Sequence, residues 1–93
     1  MIVGVLEVTF HIPAAQSLKD KRKIVRSLKD RIRQRFNVSL AETGGQSTWQ
    51  SCTLAAASVA EQRAAVEREL HRVLDLIDSD PLVETVDHWI DFY

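Results

Sequence analysis

Hydrophobic residues recur along the chain with two different periods, and the changes of period divide it into six segments. Residues 2–12 alternate strictly, which is the period of a β-strand. One face of this segment carries Gly4 together with Ile2, Leu6, Val8, Phe10 and Ile12. Because Val3 and Val5 make the other face partly apolar as well, we predict a central strand, which Pro13 ends.

The next segment, residues 17–36, repeats its apolar residues with the period of an amphipathic α-helix. Its stripe contains Leu18, Ile24, Val25, Leu28, Ile32 and Phe36. Ser17 and Asp20 form a capping pattern, since the hydroxyl can accept a hydrogen bond from a free amide and the carboxylate favours the helix start. We predict a helix that Ser17 caps and that Asn37 stops.

The remaining segments add three strands and a second helix. We predict strands over residues 37–43, 48–59 and 82–93, a hairpin loop over residues 44–47, and a helix over residues 61–78. The apolar stripe of this helix contains Val66, Leu70, Val73, Leu74 and Ile77. In the last strand Val86, Ile90 and Phe92 share one face, and Asp87, Trp89, Asp91 and Tyr93 share the other.

The resulting order, βαββαβ, predicts an α+β fold of the ferredoxin-like class. Right-handed crossovers for both βαβ units place the strands in the order 4-1-3-2, in one antiparallel sheet with both helices on one face. The other face of the sheet is expected to lack a helix cover. Ninety-three residues are enough for one such domain, over residues 1–93.

Charge is distributed very unevenly along this chain, although its net charge is only −1. Nine of the twelve Lys and Arg residues fall in residues 19–35, and nine bases less two acids give +7 there. A ridge beside the apolar stripe, called the cationic ridge below, contains Lys19, Arg22, Lys23, Arg26, Lys29 and Arg33. Within the helix, Asp30 can pair with Arg26 or Arg33. Two interpretations of the ridge remain open: a solvated face, or one paired with acids elsewhere in the fold, against a docking surface for polyanions.

Lys21 departs from this arrangement because it falls inside the apolar stripe of the predicted helix. We expect its stem to pack while its ammonium group reaches solvent at the helix end. The alternative is an anion site near the helix start.

Cys52 is the only cysteine, and its place in a predicted strand is typical of a small core residue. No apolar run is long enough to span a membrane, and Met1 leads into a strand without a charged leader. A cytoplasmic protein without membrane association is therefore expected.

Residues 10–22 (FHIPAAQSLKDKR) resemble the signature of the YlxP-like family, known as domain of unknown function 503. The similarity continues through RFNVS at 35–39, AE at 41–42 and WQ at 49–50. The resemblance implies a small bacterial cytoplasmic protein with a ferredoxin-like fold, associated with RNA or the ribosome, and it carries over no catalytic residue. Ser51 stands where family members tend to carry an arginine. The resemblance therefore does not support a polyanion-binding surface that reaches onto the hairpin.

Three classes of function follow from these patterns. The first is a non-enzymatic protein that binds RNA or the small ribosomal subunit through the cationic ridge, by backbone and shape rather than by bases stacked on the sheet. The second is a homodimeric interaction or regulatory domain, which would use the open sheet face. That face is predicted to carry Val3, Val5, Trp89 and Tyr93.

The third class, an enzyme, has weak support in the sequence. The loop at residues 11–16 lacks the glycines and arginine with which acylphosphatases of similar topology bind phosphate. Glu7 and His11 share a strand face and could approach Asp87 or His88, but their spacing is not that of a known metal site. We expect no cofactor, no metal and no small-molecule substrate, although a regulatory ligand of the kind bound by ACT domains stays open.

Overall fold

The computed structural model describes residues 1–45 and 48–93 and has the predicted ferredoxin-like fold. Its elements are β1 Ile2–His11, α1 Leu18–Arg35, β2 Ser39–Gly44, β3 Ser51–Ala60, α2 Arg63–Asp78 and β4 Glu84–Phe92. The strands form one sheet in the order β2-β3-β1-β4, and every neighbouring pair is antiparallel. The predicted order 4-1-3-2 is this order read from the opposite edge, so the topology is confirmed.

The alternation along β1 and β3 creates the two faces of the sheet. Leu6, Val8 and Phe10 of β1 are buried, and their paired residues Ala56, Leu54 and Cys52 on β3 are buried with them. The apolar stripes of both helices join the same core cluster. Both helices therefore cover this face, and the residues between the buried ones point to the opposite, open face.

Gly4 shows how closely α2 approaches the sheet. A Cβ atom built on Gly4 would overlap Cγ1 of Val66, a fully buried residue of α2. Any larger residue at Gly4 would push α2 away from β1, because the interior is close-packed.

The predicted cap at the start of α1 is confirmed. Oγ of Ser17 accepts a hydrogen bond from the backbone N of Asp20 at 3.1 Å, and the Asp20 carboxylate accepts one from the backbone N of Gln16 at 3.1 Å. The end of the helix differs from the prediction by one residue. Phe36 adopts an extended conformation and is the C-cap, so Asn37 lies beyond the helix and donates its backbone N–H to Oε1 of Glu69 at 3.1 Å.

The predicted start of the third strand is wrong by three residues. Residues 48–50 belong to the connection between β2 and β3, where the backbone N of Thr48 donates to the carbonyl of Gly45 at 3.1 Å. A turn-forming hydrogen bond of this kind is incompatible with the extended pairing of a strand. β2 and β3 pair as a hairpin, but the predicted loop over residues 44–47 includes Gln46 and Ser47, which lie outside the described residues.

The alternation along β4 predicts that Val86 shares one face with Ile90 and Phe92. In the structure Val86 does not share that face. The pairing with β1 shifts by one residue, so that Thr9 pairs with Asp87 whereas Phe10 pairs with Thr85. Val86 is the extra residue at this bulge and is 52% exposed. A bulge breaks the period of two, because two residues on one strand oppose one on its partner.

Candidate functional site

Every lysine and arginine of this chain lies on a helix. α1 carries nine of the twelve Lys and Arg residues and α2 carries the other three, whereas the four strands carry none. The strands carry five acids, which are Glu7, Glu42, Glu84, Asp87 and Asp91. The two layers of the molecule therefore differ in charge. The positive charge belongs to α1, which has two acids against its nine bases, whereas α2 has four acids against three.

The strongest concentration of positive charge is a groove on the first half of α1. Its volume is about 390 Å³ and its lining consists of Lys19, Arg22, Lys23 and Arg26. All four side chains are exposed, and in residues 1–45 and 48–93 no carboxylate forms an ion pair with any of them. These four residues are called the cationic groove below.

The other two residues of the cationic ridge have different surroundings. Nζ of Lys29 lies 3.6 Å from Oε1 of Glu42 on β2, and the Lys29 side chain is only 23% exposed. Arg33 is exposed but lies beyond the lining of the groove. The ion pair that Asp30 could form with Arg26 or Arg33 is absent from the described part of the chain. The structure thus divides the ridge into a cluster of four unpaired cations and two peripheral ones.

Electrostatics of the cationic groove favour an anion. Like charges three or four residues apart on a helix destabilise it by about 0.2–0.5 kcal/mol per pair at the surface. The four cations include pairs at both spacings, and none of them forms an ion pair within the described residues. A bound polyanion relieves this repulsion and releases counterions at the same time.

Lys21 is buried, which corrects the expectation that its ammonium group reaches solvent. The residue is 3% exposed, and its Nζ donates to the carbonyl oxygens of Gly45 and, at 2.7 Å, of Thr48. The β2–β3 connection folds over the start of α1 and satisfies the ammonium group with backbone carbonyls, so the side chain has no need to reach water.

The surroundings of Lys21 also disfavour the alternative of an anion site. Two of its three donors are already used. A cavity of about 210 Å³ beside it is lined by Leu18, Lys21, Arg22 and Glu42, so a carboxylate faces any anion that would enter. We interpret Lys21 as a residue that holds the β2–β3 connection on α1.

The β2–β3 connection is anchored on its other side as well. The backbone N of Ile12 donates to the carbonyl of Gln50 at 2.9 Å, and Nε2 of Gln50 donates to the carbonyl of Ala15 at 3.3 Å. Between these anchors Trp49 is 47% exposed. A second cavity, of about 370 Å³, is lined by His11, Pro13, Thr48, Gln50 and Ser51. The periodicity did not reveal this site because it assigned residues 48–50 to a strand.

Cys52 is fully buried, as the sequence predicts for a core residue. Burial and, to a smaller extent, the nearby Glu42 carboxylate raise the pKa of its thiol to about 11. The thiol is therefore protonated at neutral pH, which disfavours a role as a nucleophile.

The polar residues considered for a metal site do not assemble. Glu7 pairs with Trp89 on the open face, whereas His88 pairs with the buried Val8 on the helix side. In residues 1–45 and 48–93 no three His, Cys, Asp or Glu side chains come together as a ligand group.

The open sheet face brings together the apolar residues named for self-association. Val3 and Tyr93 exchange backbone hydrogen bonds of 3.2 and 2.7 Å, Val5 pairs with Asp91, and Trp89 pairs with Glu7. Trp89 is 43% exposed and Tyr93 is 69% exposed. Val59 on the neighbouring β3 is 57% exposed and extends the same patch.

Comparison with known proteins identifies relatives but no activity. A family model described as "Protein of unknown function (DUF503)" matches residues 3–90. "Uncharacterized protein YlxP" of Bacillus subtilis (strain 168) is 41% identical over 83 residues, covering 89% of this chain and 90% of that protein. Among the described residues no helix is long and apolar enough to cross a membrane.

Proposed function

The chain belongs to the DUF503 family, and from its charge distribution we propose that it is a non-enzymatic RNA-binding protein. The cationic groove is the surface that contacts the RNA, and the small ribosomal subunit is the RNA-rich partner that we propose. One observation carries this proposal: four exposed cations, unpaired in the described part of the chain, line one groove on α1.

The chemistry of the groove fits a phosphodiester backbone better than a compact anion. Its four cations extend over two helical turns, from Lys19 to Arg26, and a turn rises about 5.4 Å. Successive phosphates of a nucleic acid strand can be neutralised along such a row, and each neutralised phosphate releases condensed counterions. Binding is therefore expected to be strongly dependent on salt.

The test compares two variants that remove the same charge from different places. The groove variant carries Arg22→Gln, Lys23→Gln and Arg26→Gln, and the control carries Arg35→Gln, Arg68→Gln and Arg72→Gln. All six arginines and lysines are exposed, and none forms an ion pair in the described part of the chain. Affinity for a fluorescent RNA oligonucleotide is measured by anisotropy between 50 and about 300 mM KCl, a range over which phosphate contacts weaken steeply.

We expect the groove variant to reduce the slope of log affinity against log salt by about 2, since each lost contact to a single strand removes about 0.7. The control should keep the slope of the native protein. Equal slopes for the native protein and the groove variant would show that the groove does not contact the RNA.

Ribosome association is tested separately, by co-sedimentation with purified small ribosomal subunits at low and moderate salt. Retention of the native protein and loss of the groove variant would support the proposed partner. If the protein binds RNA oligonucleotides but fails to sediment with the subunit at low salt, the partner is wrong while the RNA-binding surface stands.

A second function, self-association, is favoured by the exposed apolar patch on the open sheet face. The occupant we propose is a second copy of this chain, because the strands carry acids and no lysine or arginine, which disfavours a nucleic acid there. A dimer through this face leaves both helices outside, so it is compatible with RNA binding. Analytical ultracentrifugation distinguishes the monomer from this dimer.

A further inference from the structure

Trp49 is an exposed aromatic side chain held at a defined place. The residue is 47% exposed and lies outside the core cluster. The backbone on both sides is fixed, because the carbonyl of Thr48 accepts a hydrogen bond from the buried Lys21 and Gln50 is bonded to the β1–α1 connection by backbone and side chain. A rigid, exposed indole ring is a surface on which a flat ligand can stack.

The cavity of about 370 Å³ on the same connection is lined by residues whose side chains can form hydrogen bonds. Its polar lining residues are His11, Thr48, Gln50 and Ser51. Gln50 uses Nε2 for the carbonyl of Ala15, which leaves its Oε1 as an acceptor. No lysine or arginine belongs to this lining, so the groups suit a nucleobase edge or a ribose hydroxyl better than a phosphate.

This connection adjoins the cationic groove. Lys21, which holds the carbonyls of Gly45 and Thr48, directly precedes Arg22 in α1. Arg22 lines both the cationic groove and the smaller cavity beside Lys21. The cationic groove and the β2–β3 connection therefore meet near the start of α1, where one nucleic acid strand can contact both.

We propose that Trp49 and the adjoining cavity bind an unpaired nucleotide of the RNA that the cationic groove holds. The base stacks on the indole ring, and the polar lining bonds to the base edge or the 2′-hydroxyl. This inference rests on the proposed function and specifies that the RNA has an unpaired nucleotide. A duplex keeps its bases stacked inside, whereas a single strand or loop can splay one outward, so the site selects unpaired RNA.

The experiment uses Trp89→Phe as a background in which Trp49 is the only tryptophan. The probes are an unstructured RNA oligonucleotide of about ten residues, within the length that single-strand binding sites span, and the blunt duplex of the same sequence. Saturable quenching of Trp49 fluorescence is expected with the single strand and not with the duplex. Circular dichroism confirms that each variant is folded.

Affinity of Trp49→Ala then measures the role of the ring. We expect a loss of about tenfold for the single strand, which corresponds to about 1.4 kcal/mol and falls within the usual range for stacking one base. Trp49→Phe should retain most of the affinity, because a phenyl ring also stacks. His11 is an exposed residue of the cavity lining. His11→Ala should weaken the affinity for the single strand and leave the affinity for the duplex unchanged.

The outcomes separate this inference from the function on which it rests. If Trp49→Ala binds the single strand as the native protein does, while the groove variant loses affinity, the stacking site is refuted and RNA binding stands. If Trp49→Ala loses the same affinity for the single strand and for the duplex, selective stacking of an unpaired base is also refuted. If the native protein binds neither RNA at low salt, both proposals fail.

Discussion

Lys21 illustrates how one side chain can change its role through a contact distant in sequence. Its position in the apolar stripe of α1 indicates burial, and its charge indicates the opposite. The structure resolves the conflict with two carbonyl oxygens contributed 24 and 27 residues later in the chain. Periodicity reports which face of a helix a residue occupies, but it carries no information on which loop will cover that face.

Replacing Lys21 with methionine tests this role. The change keeps an unbranched stem but removes the Lys21 donor from the carbonyls of Gly45 and Thr48, and the Gly45 carbonyl keeps only its bond from the backbone N of Thr48. Hydrogen bonds to a charged group contribute about 1.5–3 kcal/mol, so we expect the free energy of unfolding in urea to fall by about that amount. Lys23→Met, on an exposed residue of the same helix, should change it by less than about 0.5 kcal/mol. Equal stability of the two variants would contradict the role assigned to Lys21.

The two helices begin in different ways, although the sequence places each after a strand. Ser17 caps α1 with its hydroxyl, whereas Gln62 stands at the N-cap of α2 with an extended backbone and no side-chain hydrogen bond. Residues that serve well at this position are short and polar, because only a short side chain folds back onto a free amide. The start of α2 is therefore less stabilised than that of α1.

A pair of substitutions at the helix starts should shift stability in opposite directions. Ser17→Ala removes a cap and is expected to lower the free energy of unfolding by about 1 kcal/mol. Gln62→Asp introduces an acceptor and a negative charge at a helix N-terminus, and should raise it by about 0.5–1 kcal/mol. Thermal unfolding followed by circular dichroism measures both. A destabilising Gln62→Asp would show that the Gln62 side chain has a role beyond its position at the cap.

The type and order of all six elements could be predicted, since each has a clear period and a clear stop. The bounds failed where local backbone chemistry overrides the period. The residue pattern predicts an extended backbone at residues 48–50. The hydrogen bond from the backbone N of Thr48 to the carbonyl of Gly45 instead forms a turn, so these residues are not part of β3. Val86 alternates correctly with Ile90, yet the bulge opposite Thr9 and Phe10 places it in solvent. Neither the turn bond nor the bulge has a periodic signature.

At the scale of the molecule, the topology follows from element order and the handedness of crossovers, and the sequence therefore predicts which face is open. Which cations are available could not be predicted in the same way. Lys29 and Arg22 look equivalent on the helix, but the neighbouring β2 supplies Glu42 to Lys29. The cationic groove is thus a property of the packed molecule, because the register of a distant strand decides where it ends.

The open face makes a prediction about assembly. If a second copy covers it, Trp89→Glu should give a folded monomer in analytical ultracentrifugation, because a charge would be buried without a partner in the interface. Leu82→Glu is the matched control, since Leu82 is 47% exposed and lines a cavity with Lys23 and Ile24 of α1, on the helical side of the molecule. It should leave the dimer intact. A folded Trp89→Glu variant that still dimerises would exclude this face.

The concentration of positive charge on α1 also has a kinetic consequence. The positive helix α1 above strands that carry acids gives the molecule an electric dipole across its thickness. Near a polyanion, within the Debye length of about 8–10 Å, this dipole turns α1 toward the partner before any contact forms. Added salt should therefore slow the encounter far more than it hastens release, because orientation precedes contact whereas stacking and hydrogen bonds control how long the complex lasts.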